Sequence, residues 1–218
     1  MKCMRVRPKK EHPSKALSKV PENETKTTVD QRLIKEPYAF SNDCAALFFF
    51  HDYVLLETRQ PLNLFDMLPG IYQTSSPGSP LADIITALGL VCLSNTKGTP
   101  EALIPARARY GAALHSINAS IRDPGAASAD ETLMAVLLLG LYEDNTATPG
   151  SLEQWSKHMN GALALLDVRG SKQLKTRVGR QLITNLRTSV FANCLLKHTS
   201  VPACIMQWSA LLKQYESP

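Results

Sequence analysis

The chain has 218 residues, 44% of them apolar and only 6% aromatic, with Leu and Ala frequent and Val and Ile sparse, which supplies a real core and favours helix over sheet. Seven Lys or Arg crowd into residues 1 to 20 (Lys2, Arg5, Arg7, Lys9, Lys10, Lys15, Lys19) against Glu11 alone, so the net charge of +5 sits on that stretch and the rest is near neutral. Five cysteines at 3, 44, 92, 194 and 204 are odd in number and widely spaced, which argues against a disulfide framework and for a reducing, intracellular compartment.

Residues 1 to 40 are rich in Lys, Pro, Thr and Glu without apolar periodicity, a composition that does not offset the entropy of ordering a backbone. They are expected to form a flexible basic arm, and residues 41 to 218 a helical domain. Ala45, Ala46, Phe48, Phe49, Tyr53 and Leu56 recur at helical spacing until Pro61, which predicts a first helix. A loop holding Pro69, Gly70, Pro77 and Gly78 is expected next. Ser79-Pro80 then gives an N-cap followed by proline at the first helical position, opening a helix over 80 to 96. Thr99-Pro100-Glu101 repeats that signal for a stripe from Leu103 to Ile117, with Pro105 allowing a start as late as 104.

Ser128-x-x-Glu131 has capping-box spacing before TLMAVLLLGLYE, a helix apolar nearly all round that belongs in the middle of a stack. Ser151-x-x-Gln154 is a second such box. Gly170 is placed as the stop of that helix, and a sixth helix over 178 to 198 and a short one after Pro202 complete the chain. The expected fold is all-α, with six to seven helices packed mainly as antiparallel pairs. The longest apolar run, Leu133 to Tyr142, is far short of the ~20 residues that span a bilayer. No apolar stretch follows the basic N-terminus, so neither membrane insertion nor secretion is indicated.

The stretch WSKHMNGALALLDVRG, residues 155 to 170, carries the most unusual pattern. At 100° per residue Trp155, His158, Met159, Ala162, Leu165, Leu166 and Arg169 share one arc, while Ser156, Lys157, Asn160 and Asp167 lie opposite. His158 and Arg169 are therefore aimed inward and need partners. One reading is a core histidine bonded to a neighbouring carbonyl and an arginine meeting a carboxylate or the helix C-terminus; the other is the lining of a ligand pocket. Gly161, on the flank of the arc, is expected to mark the close approach of a second helix.

Other chemistry is thin. Cys194 and His198 are four apart with Cys204 beyond Pro202, but a structural zinc site wants four ligands. His51-Asp52 is not expected to act as a dyad, since adjacent helical residues point apart. Glu143-Asp144 closes the apolar helix and needs a cation, for which Arg169 is the candidate. No nucleotide loop, nucleophile elbow or H-E-x-x-H motif occurs. No catalytic residue, cofactor or metal is assigned, and a helical enzyme built on His158 or Arg169 would be of an unusual kind.

W155-x-x-H158-x-x-G161-A162-x-x-L165-L166-x-x-R169-G170 resembles the regulatory middle region of fungal transcription factors of the zinc binuclear cluster family. A45-A46-L47-F48-F49 with Y53, L81 to L88, A108-R109-Y110-G111-A112-A113-L114 and D130 to L139 ending in Y142-E143 agree in order and spacing, over roughly residues 41 to 202. The resemblance implies an all-helical, non-catalytic domain in the nucleus that holds an attached DNA-binding or activation segment in check. Its partners would be proteins of the transcription machinery, a cluster-bearing factor or a small-molecule effector. The family-motif residues are Trp155, His158, Gly161, Ala162, Arg169 and Gly170.

The family's six-cysteine zinc cluster has no counterpart, because no C-x-x-C step occurs and Cys3 alone precedes residue 44. The basic run Arg5, Arg7, Lys9 and Lys10 reads as the remnant of a linker, a nuclear-import signal or a solvated arm, with at most weak phosphate contact. The family's helical region usually continues further, so a truncated product is one expectation. The alternative to a transcription regulator is a stand-alone helical scaffold for partner proteins.

Overall fold

The computed structural model describes residues 41–55, 65–146 and 148–215. The chain divides into two units, Met1–Ala39 and Phe40–Pro218. The expected basic arm, with Arg5, Arg7, Lys9 and Lys10, lies outside the described residues. Among the described residues all regular structure is helical: nine α-helices with short 3-10 and π turns, and no strand.

Helix α1 spans Asn42–Phe50 and starts where the Ser41 hydroxyl accepts the Cys44 N–H. It tightens no further but widens into a π-helical turn, His51–Leu55. Helix α2, Leu68–Thr74, occupies the expected loop. Pro69 stands in its first turn, where the missing N–H has no partner to lose. Helix α3, Pro80–Lys97, is capped by Ser79 through the Ala82 N–H and ended by Gly98 at φ 64°. A 3-10 turn, Pro100–Ala102, leads into α4, Leu103–Ser120. Asp123 then caps one further turn, α5, Pro124–Ala127. The two unforeseen helices, α2 and α5, are the shortest, which is why apolar periodicity could not announce them.

Helix α6 runs Asp130–Thr146, α7 Ser151–Arg169, α8 Arg177–Lys197 and α9 Ala203–Lys213. Neither expected capping box forms. The Ser128 hydroxyl donates to the Pro124 carbonyl within the preceding turn, and Ser151 is itself helical behind Gly150, its hydroxyl shared with Thr148 at 3.0 Å. In both places a neighbouring turn captured the serine before it could cap.

The core sits on two helices. From Thr132 to Gly140 every residue of α6 is buried, and α3 is buried continuously from Ile84 to Cys92. Helix α3 packs against α1, α4 and α6, and α6 against α3 and α7. Short connections join α3 to α4 and α6 to α7, so each of these side-by-side pairs is antiparallel. Two glycines allow close approach between these packed helices. A Cβ at Gly89 of α3 would stand 1.7 Å from the Ala45 carbonyl oxygen of α1, and one at Gly140 of α6 would stand 2.6 Å from Met159 Cε and 3.4 Å from the Trp155 ring. Toward the C-terminal end the covering thins. Leu195 and Leu196 of α8 are 77% and 80% exposed, while α9 is tied back by Trp208, whose indole donates to Asp167 of α7 at 3.3 Å.

Candidate functional site

Along α7 the apolar arc faces the body as its spacing requires. Trp155, Met159, Ala162, Leu165 and Leu166 are buried. The His158 and Arg169 side chains are only 11% and 5% exposed. The Trp155 ring lies against Gly140 on one side, with Lys197 Nζ of α8 standing 6.0 Å from the ring centroid. Asp144 faces the same indole. Burial pushes its carboxyl above the usual carboxylate range, the hydrogen bond from Trp155 opposes that rise, and the Glu143 charge adds to it.

Gly161 does not mark a close approach. It is exposed, and a Cβ there would meet nothing within 4 Å; the helix contact that needs a glycine falls on α6, at Gly140. Gly170 ends α7 at φ 64° and its N–H donates to the Leu166 carbonyl, the stop that its position after Arg169 predicted.

Arg169 is not the partner of Glu143. Its guanidinium pairs with Asp130 at the start of α6 and donates to Gln173 Oε1 at 2.9 Å and to the Ser128 carbonyl at 2.7 Å. Antiparallel packing explains the exchange. Asp130 and Glu143 are 13 residues apart on α6, about 20 Å of helix at ~1.5 Å per residue, so the C-terminal end of α7 meets the beginning of α6 and His158, 11 residues earlier on α7, meets its end.

Glu143 is thus part of a different cluster. Tyr110 of α4 donates its hydroxyl proton to Glu143 Oε1 at 2.5 Å, and the Tyr110 hydroxyl oxygen itself lies 2.9 Å from His158 Nε2. One phenolic proton serves the carboxylate, so the imidazole is the donor in the second bond and carries hydrogen on Nε2. His158 Nε2 is 3.8 Å from Glu143 Oε1. Burial holds the imidazole pKa below its ordinary value, and the Glu143 charge only partly restores it. Burial, helped by the Glu143 hydrogen bond, drives the Tyr110 hydroxyl pKa far upward. The histidine therefore bonds to a tyrosine hydroxyl and not to a carbonyl, and the group inward of it is a carboxylate.

The cluster opens onto a cavity of about 280 Å³ between α4, the end of α6 and the start of α7, lined by Asn95, Arg107, Tyr110, Tyr142, Glu143 and Gln154 among others. Tyr110 and Tyr142 stack there, ring centroids 4.3 Å apart and 15° from parallel. Burial raises the Tyr142 pKa while the nearby Arg107 charge lowers it. Neither Tyr110 nor Arg107 stood out in the sequence as more than stripe and surface. The available signal was their spacing, one helical turn apart on the same face.

A larger hollow of about 560 Å³ is lined by Asp66, Met67, Ile71, Asp130, Glu131 and Arg177. Its Asp130 is already engaged by Arg169, and Glu131 Oε1 is buried there with no hydrogen-bond partner among the described residues.

Other sequence candidates do not converge. Cys194 is buried and its thiol lies 3.6 Å from the Ser200 carbonyl, whereas His198 ends α8 in a left-handed conformation, φ 52°. Among the described residues no group of three or more His, Cys, Asp or Glu is placed to hold a metal ion. His51 and Asp52, expected to point apart, do meet: Nδ1 is 3.2 Å from Oδ1, because the π turn changes the angle between successive residues. His51 is 60% exposed, and no other side chain among the described residues joins the pair. No helix among the described residues is long and apolar enough to cross a membrane.

The family model for the fungal specific transcription factor domain matches residues 62–208. No curated protein and no solved structure matches the chain.

Proposed function

Since the chain belongs to the fungal specific transcription factor domain family, whose model covers about two thirds of its length, and has a regulatory role in transcription, we propose that it acts as a non-catalytic module in the nucleus. It modulates transcription through contacts with a cluster-bearing factor, other proteins of the transcription machinery or a small effector. The family match carries this reading, and the all-helical body around α3 and α6 is compatible with it. The sequence has no C-x-x-C step, so residues 1–218 offer no thiolate set for a zinc cluster of the family's kind.

A stand-alone helical scaffold is the second reading. Its support is the exposed apolar set at the adjoining ends of α7 and α8, where Leu152 and Leu196 border one groove beside Trp155. Immunoprecipitation and imaging of the tagged full chain separate the two. Nuclear accumulation together with recovery of a cluster-bearing factor is expected. A cytoplasmic protein that recovers none would favour the scaffold.

A further inference from the structure

We propose that the cavity between α4, α6 and α7 is a recognition site for a small zwitterion, a molecule carrying one ammonium and one carboxylate, of which free amino acids are the simplest kind. This deepens the effector half of the proposed function and rests on it for biological meaning, though not for binding.

The first support is an uncompensated charge. Glu143 is 6% exposed, and a carboxylate taken that far out of water needs a cation or several donors. Among the described residues it receives one hydroxyl proton, from Tyr110. The nearest basic group, His158, already donates to that hydroxyl, and desolvation disfavours its charged form. Glu143 lines the cavity, so an ammonium entering from it would supply the missing countercharge.

Arg107 is the second support. It lines the same cavity from α4 and forms no ion pair among the described residues. Its planar fork suits a carboxylate. A purely cationic ligand would be repelled by Arg107 and a purely anionic one by Glu143. A ligand with both charges satisfies both walls.

The third is the frame. The stacked Tyr110 and Tyr142 rings lie beside the carboxylate, and such faces favour an ammonium and the aliphatic carbons next to it. Asn95 and Gln154 add amides at the rim. About 280 Å³ is near the lower end of the roughly 300 to 1,000 Å³ of ligand pockets, which suits a small molecule.

The test is calorimetric titration of the full chain with glycine, L-leucine, γ-aminobutyrate and 5-aminopentanoate, which vary the charge spacing, and with butylamine and butyrate as singly charged controls. At least one zwitterion is expected to bind, with both controls weaker by about tenfold or more. Glu143→Gln, which keeps an acceptor for Tyr110, and Arg107→Gln, on an exposed residue, should each weaken that zwitterion by about ten- to a hundredfold. Circular-dichroism melting of Arg107→Gln should match the parent. No heat from any zwitterion, equal binding of a control, or undiminished binding by Arg107→Gln would each overturn the proposal. Binding without nuclear localisation would leave the site standing and remove the transcriptional reading; nuclear association without binding would do the reverse.

Discussion

His158 Nε2 stands 2.9 Å from the Tyr110 hydroxyl, a bond that joins α7 to α4 across the end of the buried helix α6. Removing the hydroxyl should uncover its worth. Tyr110→Phe leaves the Glu143 carboxylate without the donor it accepts from and the imidazole N–H without an acceptor. A loss of about 2 to 4 kcal/mol in urea denaturation is expected, since a hydrogen bond to a charged group contributes about 1.5 to 3 kcal/mol and an orphaned donor costs more. A midpoint equal to the parent's would mean that water serves both groups equally well.

The same cluster sets a pH dependence. The His158 pKa is lowered in the folded chain, so between the folded and unfolded values the unfolded chain binds more protons, and stability rises with pH. That stability is fully present above the unfolded pKa of about 6.5 and is lost as pH falls below it toward the folded value. Denaturation midpoints should therefore drop from pH 7 toward pH 5, and His158→Gln should flatten the drop. Exposed Glu153, lowered by its hydrogen bond to Lys157, acts only in a more acid window, below about 4.5. An unchanged slope in the His158→Gln chain would contradict the assignment.

Trp155 fills the space between α6, α7 and α8 and is 6% exposed. Trp155→Ala should cost about 3 to 5 kcal/mol through the cavity it leaves. Trp155→Phe, which keeps most of the volume, should cost less. Denaturation midpoints indistinguishable from the parent would show that this face of α7 is not buried.

Gly140, in the contact between α6 and α7, and Gly161, on the exposed side of α7, should respond with opposite signs. Gly161→Ala puts a methyl into open space on a helix and should stabilise by about 0.5 to 1 kcal/mol. Gly140→Ala forces Met159 aside and crowds the indole, so a destabilisation of about 1 to 3 kcal/mol is expected. Thermal melting of the pair decides the matter, and equal shifts would refute the seam described above.

Much of this architecture was legible because it follows from period alone. The buried and exposed faces of α7, the Ser79 start and the Gly170 stop each depend on residues within one or two turns. The short helices α2 and α5 were not legible, being too brief for a stripe. The capping serines failed for a related reason: Ser128 and Ser151 each had a second local partner, and sequence spacing does not rank two bonds of similar strength. Arg169 and Glu143 show a different limit. Helix order was correctly antiparallel, but matching ends along the pair requires counting the rise of both helices together, and that count sends Arg169 to Asp130. The Tyr110 hydroxyl was hidden inside an apolar stripe, since nothing local tells whether a tyrosine contributes its ring alone or its oxygen as well.

The most direct measurement of the central claim, a regulatory domain of transcription, is reporter output from the full chain fused to a heterologous DNA-binding module, compared with the module alone. A change in output, up or down, is expected, and it should be lost with Trp155→Ala. Output equal to that of the module alone, from a fusion that is folded and present at the promoter, would contradict the account.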